Sequence, residues 1–461
     1  MATSRSAERM HRVLRTDHTI NWPKDWRAFL LLLLITLAFW RVDVNFFWRD
    51  DWNFLSDMRD PPVAYFIQDH FGHVKPLFKL TFFAQLQVFG TNTIFYAYYN
   101  LLFVALGAYA MLRLLLRLTS VTAAWVTTIA LLIHPLMFNH VGWTFEQCIS
   151  QHLFFQVLAV CCFVAWVQER RRADLLATVA WSVVQNYFFG NGLFLPMLFV
   201  AGCLLFVEDR RERLRAAGYF VGLFLLFIAI QLGLGGDRAG MPSTVEDLLG
   251  LFSGSIHLLG IDSARAFFIQ ETAFGAATTW LSIALFTGLV ALAVLRKDRD
   301  QRIAWFLVLW FGVAFCSVPL VRRGDLLLRT IPHYYSILCM IPLGFIGEHA
   351  LGGRSWWSIV PRKLMLTGVA GLLLVVFLLD RQLMAMVSFR SFRNEQAMMR
   401  SLQDGTPYKG FDEPYFRADK DKVEDPLGIY RYWRERDRFR LPIGYANEPS
   451  NWTRTTPLSE E

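Results

Sequence analysis

The stretch FLLLLLITLAFWRVDVNFFWRDDW, residues 29–52, joins an apolar run to a pair of adjacent aspartates. Its first half carries no charge and follows a basic segment, which indicates a first membrane span at about residues 27–46. No small-residue cleavage site follows the run, so we expect the span to be retained. Asp50 and Asp51 then emerge just beyond the membrane, between Trp48 and Trp52.

Composition extends this interpretation to the whole chain. Of 461 residues, 54% are hydrophobic, 15% are aromatic and only 18% are charged, with a mean hydropathy of +0.34. A soluble domain carries more charge. The net charge of +8 is not a nucleic-acid signal, because the arginines lie in short clusters between apolar runs, as the positive-inside rule produces. The lipid bilayer is therefore the expected partner, and nucleic acid is not.

Charge at the chain start and between the runs orients the protein. Residues 1–26 are rich in arginine and are expected in the cytoplasm. The segment Pro76 to Gly90 is short for a span, and if it crossed, the following arginine clusters would all lie outside. We therefore predict an interfacial helix within a first outer loop, residues 47–94.

These assignments predict an all-α polytopic membrane protein with about eleven transmembrane helices. The membrane domain covers residues 27–380, and the polar tail, 381–461, is expected on the extracytoplasmic side. The predicted spans are 27–46, 95–117, 121–138, 150–168, 174–189, 192–207, 216–234, 274–295, 303–321, 333–350 and 364–379.

Ionisable groups gather on the predicted outer face, while the middles of the spans are almost free of charge. Transporters usually need such groups near the membrane midplane, so this distribution favours an enzyme working at one membrane surface on a lipid with an anionic head group. The outer groups are Asp50, Asp51, His70, His73, Lys75, His134, His140, Glu146, Arg322, Arg323, Arg329 and His333.

The first loop supplies a candidate carboxylate and candidate anion-binding groups. Adjacent side chains diverge by about 100° on a helix, so only one of Asp50 and Asp51 is expected to enter a site. Lys75 would lie at head-group depth, where His70 and His73 could help it to bind phosphate. The alternatives are a solvated acidic loop and a snorkelling lysine.

A second basic site is predicted late in the chain. Arg322, Arg323 and Arg329 lie on the outer side against the charge rule, and guanidinium groups grip phosphate oxygens bidentately. Contact with anionic outer-leaflet lipids is the alternative. Glu146 is a candidate second carboxylate. No compact ligand set is visible, so no cofactor is expected; a divalent metal is compatible with the pattern but not indicated.

Several short motifs, in order, resemble the GT-C-type membrane glycosyltransferases that use polyprenyl-phosphate sugars, including protein O-mannosyltransferases and the lipid A aminoarabinose transferase. The matching features are the pair Asp50-Asp51 after the first span, Lys75-Pro76 at the start of a helix ending at Phe89-Gly90, His134-Pro135 followed by Val141-Gly142-Trp143, and Arg329 before Pro332-His333-Tyr334-Tyr335.

The resemblance implies a GT-C-like fold and an inverting glycosyltransferase. Asp50 or Asp51 would be the base that activates an acceptor hydroxyl on a glycan, lipid or protein. Lys75 and Arg329, helped by Arg322, Arg323 and His73, would bind the donor phosphate. The remaining candidates for substrate binding are His70, His140, Glu146, His333 and Tyr334.

Other functions remain open from the sequence. An O-antigen-type polymerase or ligase also uses outer arginines and histidines on lipid-linked sugars, and a lipid-linked sugar flippase or transporter would need a polar pathway through the spans. A non-catalytic scaffold would leave the outward arginines unexplained. For the leading hypothesis we expect a multi-pass protein of the bacterial inner membrane with its active site facing outward, or facing the lumen in a eukaryotic cell.

Overall fold

The computed structural model describes twelve separate stretches of the chain. They are residues 26–40, 50–70, 73–118, 121–132, 144, 147–189, 192, 195–234, 303, 306, 428–429 and 432–433.

Almost all of this part is helical. The helices are α1 (Trp26–Phe39), α2 (Asp50–Asp57), α3 (Pro76–Phe89), α4 (Thr93–Leu118), α5 (Val121–Leu132), α6 (Gln147–Glu169), α7 (Arg172–Phe188), α8 (Leu195–Phe206) and α9 (Arg210–Leu234). Between α2 and α3 lie a 3-10 helix (Val63–Phe66) and two paired antiparallel strands, β1 (Asp69–His70) and β2 (His73–Val74).

Three of these helices are long and apolar enough to cross a membrane: α4, α6 and most of α9, over Arg210–Gln231. Helices α1 and α8 are apolar but shorter. Large apolar side chains also face outward, such as Leu176 at 70% exposure and Leu225 at 57%. A soluble surface rarely tolerates many such residues, whereas lipid does. The described part is therefore consistent with a helical membrane protein.

Aromatic contacts hold the helices side by side. Phe103 of α4 lies edge-on to Phe154 of α6, with 5.8 Å between ring centroids. On another face of α6, Phe155 stacks on Trp181 of α7 at 5.4 Å. Helix α6 is thus buried between two neighbours, and nearly all of its residues are inaccessible to solvent.

Charged side chains are paired with each other at one end of the helix bundle. At one end, Arg117 of α4 pairs with Glu169 of α6 at 2.9 Å. Beside them, Arg170 donates to the carbonyl of Phe206, which ends α8, and lies 3.9 Å from Glu212 of α9. We call this the arginine end. Because α4 has 26 residues, the other end lies about 39 Å away at 1.5 Å per residue.

Helix α3 lies at that other end. The hydroxyl of Tyr96, in the first turn of α4, donates to the carbonyl of Gly90 at 2.8 Å, and the ring of Phe82 lies 5.7 Å from the Tyr96 ring. Gly90 caps α3 with a positive φ of 52°, which favours glycine. We call this the loop end, because it carries the segment between α1 and α4.

Helix α3 does not turn all of its polar residues outward, as expected of an interfacial amphipathic helix. Lys79 and Gln85 are 1% and 5% exposed, whereas Leu80 is 48% exposed and Gln87 is partly exposed. The reason is local, because the Lys79 amine is used inside the protein, as described below. An apolar outer face still suits a helix that rests against lipid.

Candidate functional site

Helix α2 begins at the acidic pair and buries Asp51. Asp51 is 0% exposed, and its neighbour Trp52 is also fully buried rather than acting as an interfacial anchor. For Asp50 the structure describes the backbone, as the first residue of the helix. An acid in the first helical turn is favoured by the helix dipole. The Asp51 carboxyl group is therefore buried inside the protein and is not part of a solvated acidic loop.

Aromatic rings from α3 hold α2 in place. The Phe54 ring is edge-on to Phe78 at 5.3 Å and lies 5.7 Å from Phe82. All three rings are fully buried and belong to one apolar cluster, which we call the loop-end cluster. The cluster also takes in the first turn of α6 and residues 188 and 189 at the end of α7.

Two buried lysines stand one helical turn apart. The Lys79 amine donates to the backbone carbonyls of Tyr65 (2.7 Å) and Gln68 (2.9 Å), and lies 4.2 Å from the centre of the Tyr65 ring. Its charge thus closes the 3-10 segment onto α3. The Lys75 amine lies 5.2 Å from the centre of the Phe189 ring and is 1% exposed, so it does not snorkel to solvent.

Phe189 connects Lys75 to α6. Its ring meets the His152 ring at 5.7 Å, and the Nδ1 atom of His152 lies 3.1 Å from the Gln185 carbonyl. Lys75 and His152 thus approach the same phenyl ring from α3 and α6. Sequence reasoning missed His152; a histidine within an otherwise apolar span was the available signal.

Polar side chains also occupy the first two turns of α6. Gln147, Ser150 and Gln151 are at most 4% exposed. The Gln151 amide donates to the Tyr99 hydroxyl of α4 at 3.1 Å. Their spacing of three and four residues places them on one helix face. That spacing was visible in the sequence, but predicting the interior partner required the fold.

The C-terminal tail reaches the same end of the protein. The Trp433 indole donates to the Leu55 carbonyl of α2 at 2.8 Å, and the Tyr432 hydroxyl donates to the Arg59 carbonyl at 2.5 Å. Trp433 is fully buried within the loop-end cluster. No sequence signal predicted this contact, which joins residues more than 370 positions apart.

Several predicted site residues are described only in their backbone or lie outside the described part. His70 and His73 are strand partners, and the structure describes only their backbone. The late cations and the remaining substrate candidates fall on undescribed residues: His140, Glu146, Arg322, Arg323, Arg329, His333 and Tyr334. Of the predicted set, the structure therefore places Asp51 and Lys75 in full.

The surroundings of Tyr65 at the loop end disfavour ionisation of its phenol. Burial raises the pKa of its phenol, and the nearby Asp57 carboxylate raises it further by charge and as the acceptor of a hydrogen bond at 3.4 Å. The described residues hold no group of three or more His, Cys, Asp or Glu suited to a metal ion. The chemistry available here is that of a carboxylate, an ammonium group and neutral amides.

Comparisons with known proteins assign no role to these residues. No protein-family model matches the chain, and no curated protein or solved structure matches it either.

Proposed function

We propose that the protein is an inverting glycosyltransferase that moves a sugar from a polyprenyl-phosphate donor to a hydroxyl group of a glycan, lipid or protein. The observation that carries this proposal is the burial of Asp51 and Lys75 at the loop end, away from the arginine end. Buried ionisable groups in membrane proteins are costly and mark functional sites.

The proposed reaction uses the acid as base and the cations as anion stabilisers. Asp51, or Asp50, takes the proton of the acceptor hydroxyl while its oxygen attacks the anomeric carbon. The bond from that carbon to the phosphate oxygen breaks with inversion, and the lipid phosphate leaves with the electron pair. Lys75 stabilises the developing negative charge, together with Arg329, Arg322 and Arg323. The charge balance of this step does not require a metal.

The finer architecture belongs to the same proposal: a GT-C-like fold, about eleven spans and an outward-facing site in a bacterial inner membrane. The outward orientation is supported by the gathering of Arg117, Arg170 and Arg171 at one end of the bundle, because such clusters mark the cytoplasmic side. The loop end then faces outward, where the lipid-linked donor would be bound.

The acid is tested by Asp51→Asn, which removes the base and keeps the side-chain volume. We expect transfer from a panel of polyprenyl-phosphate sugars, scored as release of lipid phosphate, to fall by about 100-fold or more. Asp57→Asn, on the same helix, is the matched control and should retain activity. A normally folded protein with full transfer activity after both Asp50→Asn and Asp51→Asn would refute the proposed base.

The cation is tested with the lysine pair. Lys75→Met should lower kcat by about 100-fold while the protein remains folded, because phosphate release loses its charge stabilisation. Lys79→Met should instead lower the melting temperature, since the backbone carbonyls of Tyr65 and Gln68 lose their donor. Equal activity losses in both variants would argue for a structural role only.

A flippase or transporter would show sugar-lipid translocation without any release of lipid phosphate.

A further inference from the structure

A stripe of residues along α6 faces α4 over most of its length. Gln151 contacts Tyr99, Phe154 meets Phe103, and the Cys161 thiol donates to the Ala110 carbonyl at 3.3 Å. Gln147 and Ser150 precede these residues at helical spacing, so they belong to the same stripe. The stripe is polar in its first two turns and apolar afterwards.

The polar turns hold hydrogen-bonding capacity that the protein does not use. Among the described residues, neither side-chain atom of the Gln147 amide has a hydrogen-bond partner, and the Ser150 hydroxyl and the Gln151 carbonyl oxygen have none. All three side chains are buried. Leucine would fill such positions without this cost, so their polar atoms need another explanation.

Position in the protein suggests what they bind. The amides lie in the same first turns of α6 as His152, whose ring meets the Phe189 ring that Lys75 also approaches. The polar turns and the proposed phosphate site are therefore both at the loop end. Amides and hydroxyls both donate and accept hydrogen bonds, which matches the hydroxyl groups of a sugar. The three side chains are neutral, so a carboxylate among them would be desolvated without a counter-charge.

We propose that Gln147, Ser150 and Gln151 bind the sugar ring of the donor and select a neutral hexose over a uronic acid or an amino sugar. This proposal rests on the proposed function and names the substrate class of the same site. In this proposal Lys75, at the start of α3, holds the phosphate, and the polar side chains in the first turns of α6 hold the ring hydroxyls.

The test compares lipids with and without a sugar, using the purified full-length chain. Farnesyl phosphate is measured beside its glucosyl, mannosyl, galactosyl, glucuronyl and glucosaminyl derivatives, and the affinity ratio of each derivative to the bare lipid reports the contribution of the sugar. We expect at least one neutral hexosyl lipid to bind tenfold or more tightly than farnesyl phosphate, with no comparable gain for the charged sugars.

The variant Gln147→Leu/Gln151→Leu should bring that ratio to within twofold of one. Its melting temperature should change little, because Gln147 has no hydrogen bond to lose and Gln151 loses one, to Tyr99. Gln156→Leu is the matched control: it is a buried amide of the same helix outside the stripe, and it should keep the wild-type ratio. If the double variant is more stable and its sugar preference is unchanged, the amides hold only water and the proposal is wrong.

The two proposals fail in different ways. If farnesyl phosphate binds in a Lys75-dependent manner but no neutral hexose adds affinity, the amide site is overturned and the phosphate site stands. If a charged sugar gains more than the neutral ones, the proposed selectivity is overturned. If hexose binding depends on the amides but Lys75→Met changes neither lipid's affinity, the phosphate role of Lys75 is overturned instead.

Discussion

At the scale of single residues, the two buried lysines of the loop end, Lys75 and Lys79, make different contacts. Both lysines are 1% exposed, and the Lys79 amine donates hydrogen bonds to two backbone carbonyls of the preceding loop. A buried ammonium group is costly unless it is paired or hydrogen-bonded, and the two carbonyls meet that requirement for Lys79. The sequence shows two lysines four residues apart and gives no means to tell these roles apart.

Tyr65 gives a prediction in pH at the same scale. Its phenol is neutral in both folded and unfolded chains below its ordinary pKa of 10.0, so it adds no pH dependence there. Burial raises the folded pKa, and above pH 10 only the unfolded chain ionises, so stability falls as pH rises further. We expect the melting temperature of the wild type to fall more steeply above pH 10 than that of Tyr65→Phe.

Asp57→Asn should make this decline less steep, because the charge that helps to raise the Tyr65 pKa is removed. If the melting temperatures of the wild type and Tyr65→Phe fall by the same amount as pH rises above 10, the prediction is wrong.

At the scale of helices, close approach depends on glycine at particular points. A Cβ atom added to Gly202 of α8 would lie 2.6 and 2.7 Å from two ring atoms of Phe163 in α6. That ring is itself packed against Phe199 at 4.6 Å and is 2% exposed, so it has little room to move. Small residues at such contacts let membrane helices approach each other.

Gly202→Ala should therefore destabilise the protein by about 1–3 kcal/mol through overpacking. Gly218→Ala on α9 is the matched control: its added methyl would meet nothing within 4 Å, and alanine favours helix. We expect a lower melting temperature for the first variant and an unchanged or higher one for the second. Equal effects from the two changes would mean that the contact with Phe163 is not limiting.

At the scale of the whole molecule, the tail and the first loop meet at one end while the arginines gather at the other. In the tail, Tyr432 donates a hydrogen bond to the Arg59 carbonyl and Trp433 donates one to the Leu55 carbonyl. Since one end of the bundle faces each side of the membrane, the tail and α2 should lie on the same side. The same contacts help to hold the helix that carries Asp51.

This arrangement predicts the outcome of labelling with a membrane-impermeant thiol reagent. Cysteines introduced at Asp60 and appended after Glu461 should be modified in intact spheroplasts. A cysteine at Arg211, an exposed residue of the arginine end, should react only after permeabilisation. The four described native cysteines are buried and should stay silent. Labelling of the tail together with position 211 would contradict a shared side for the tail and α2.

Part of the candidate site could be predicted from the sequence, and part could not. Asp51 and Lys75 stand out because charges are rare beside apolar runs, where desolvation makes them costly. Their burial was not predicted; the first was compared with a solvated loop and the second with a snorkelling lysine. The contact of Trp433 with Leu55 was beyond sequence reasoning, because no local pattern specifies a partner 378 positions away.

The sequence by itself determined the class of the molecule. Apolar run lengths and the spacing of arginine clusters suffice for a helical membrane protein, because a bilayer accepts only segments whose backbone polar groups are satisfied internally. Tertiary structure alone decided which polar groups share a neighbourhood. Lys75, the Phe189 ring and His152 meet because the ends of α3, α7 and α6 lie together. Helical periodicity predicts which residues share a helix face, but it does not predict what that face contacts.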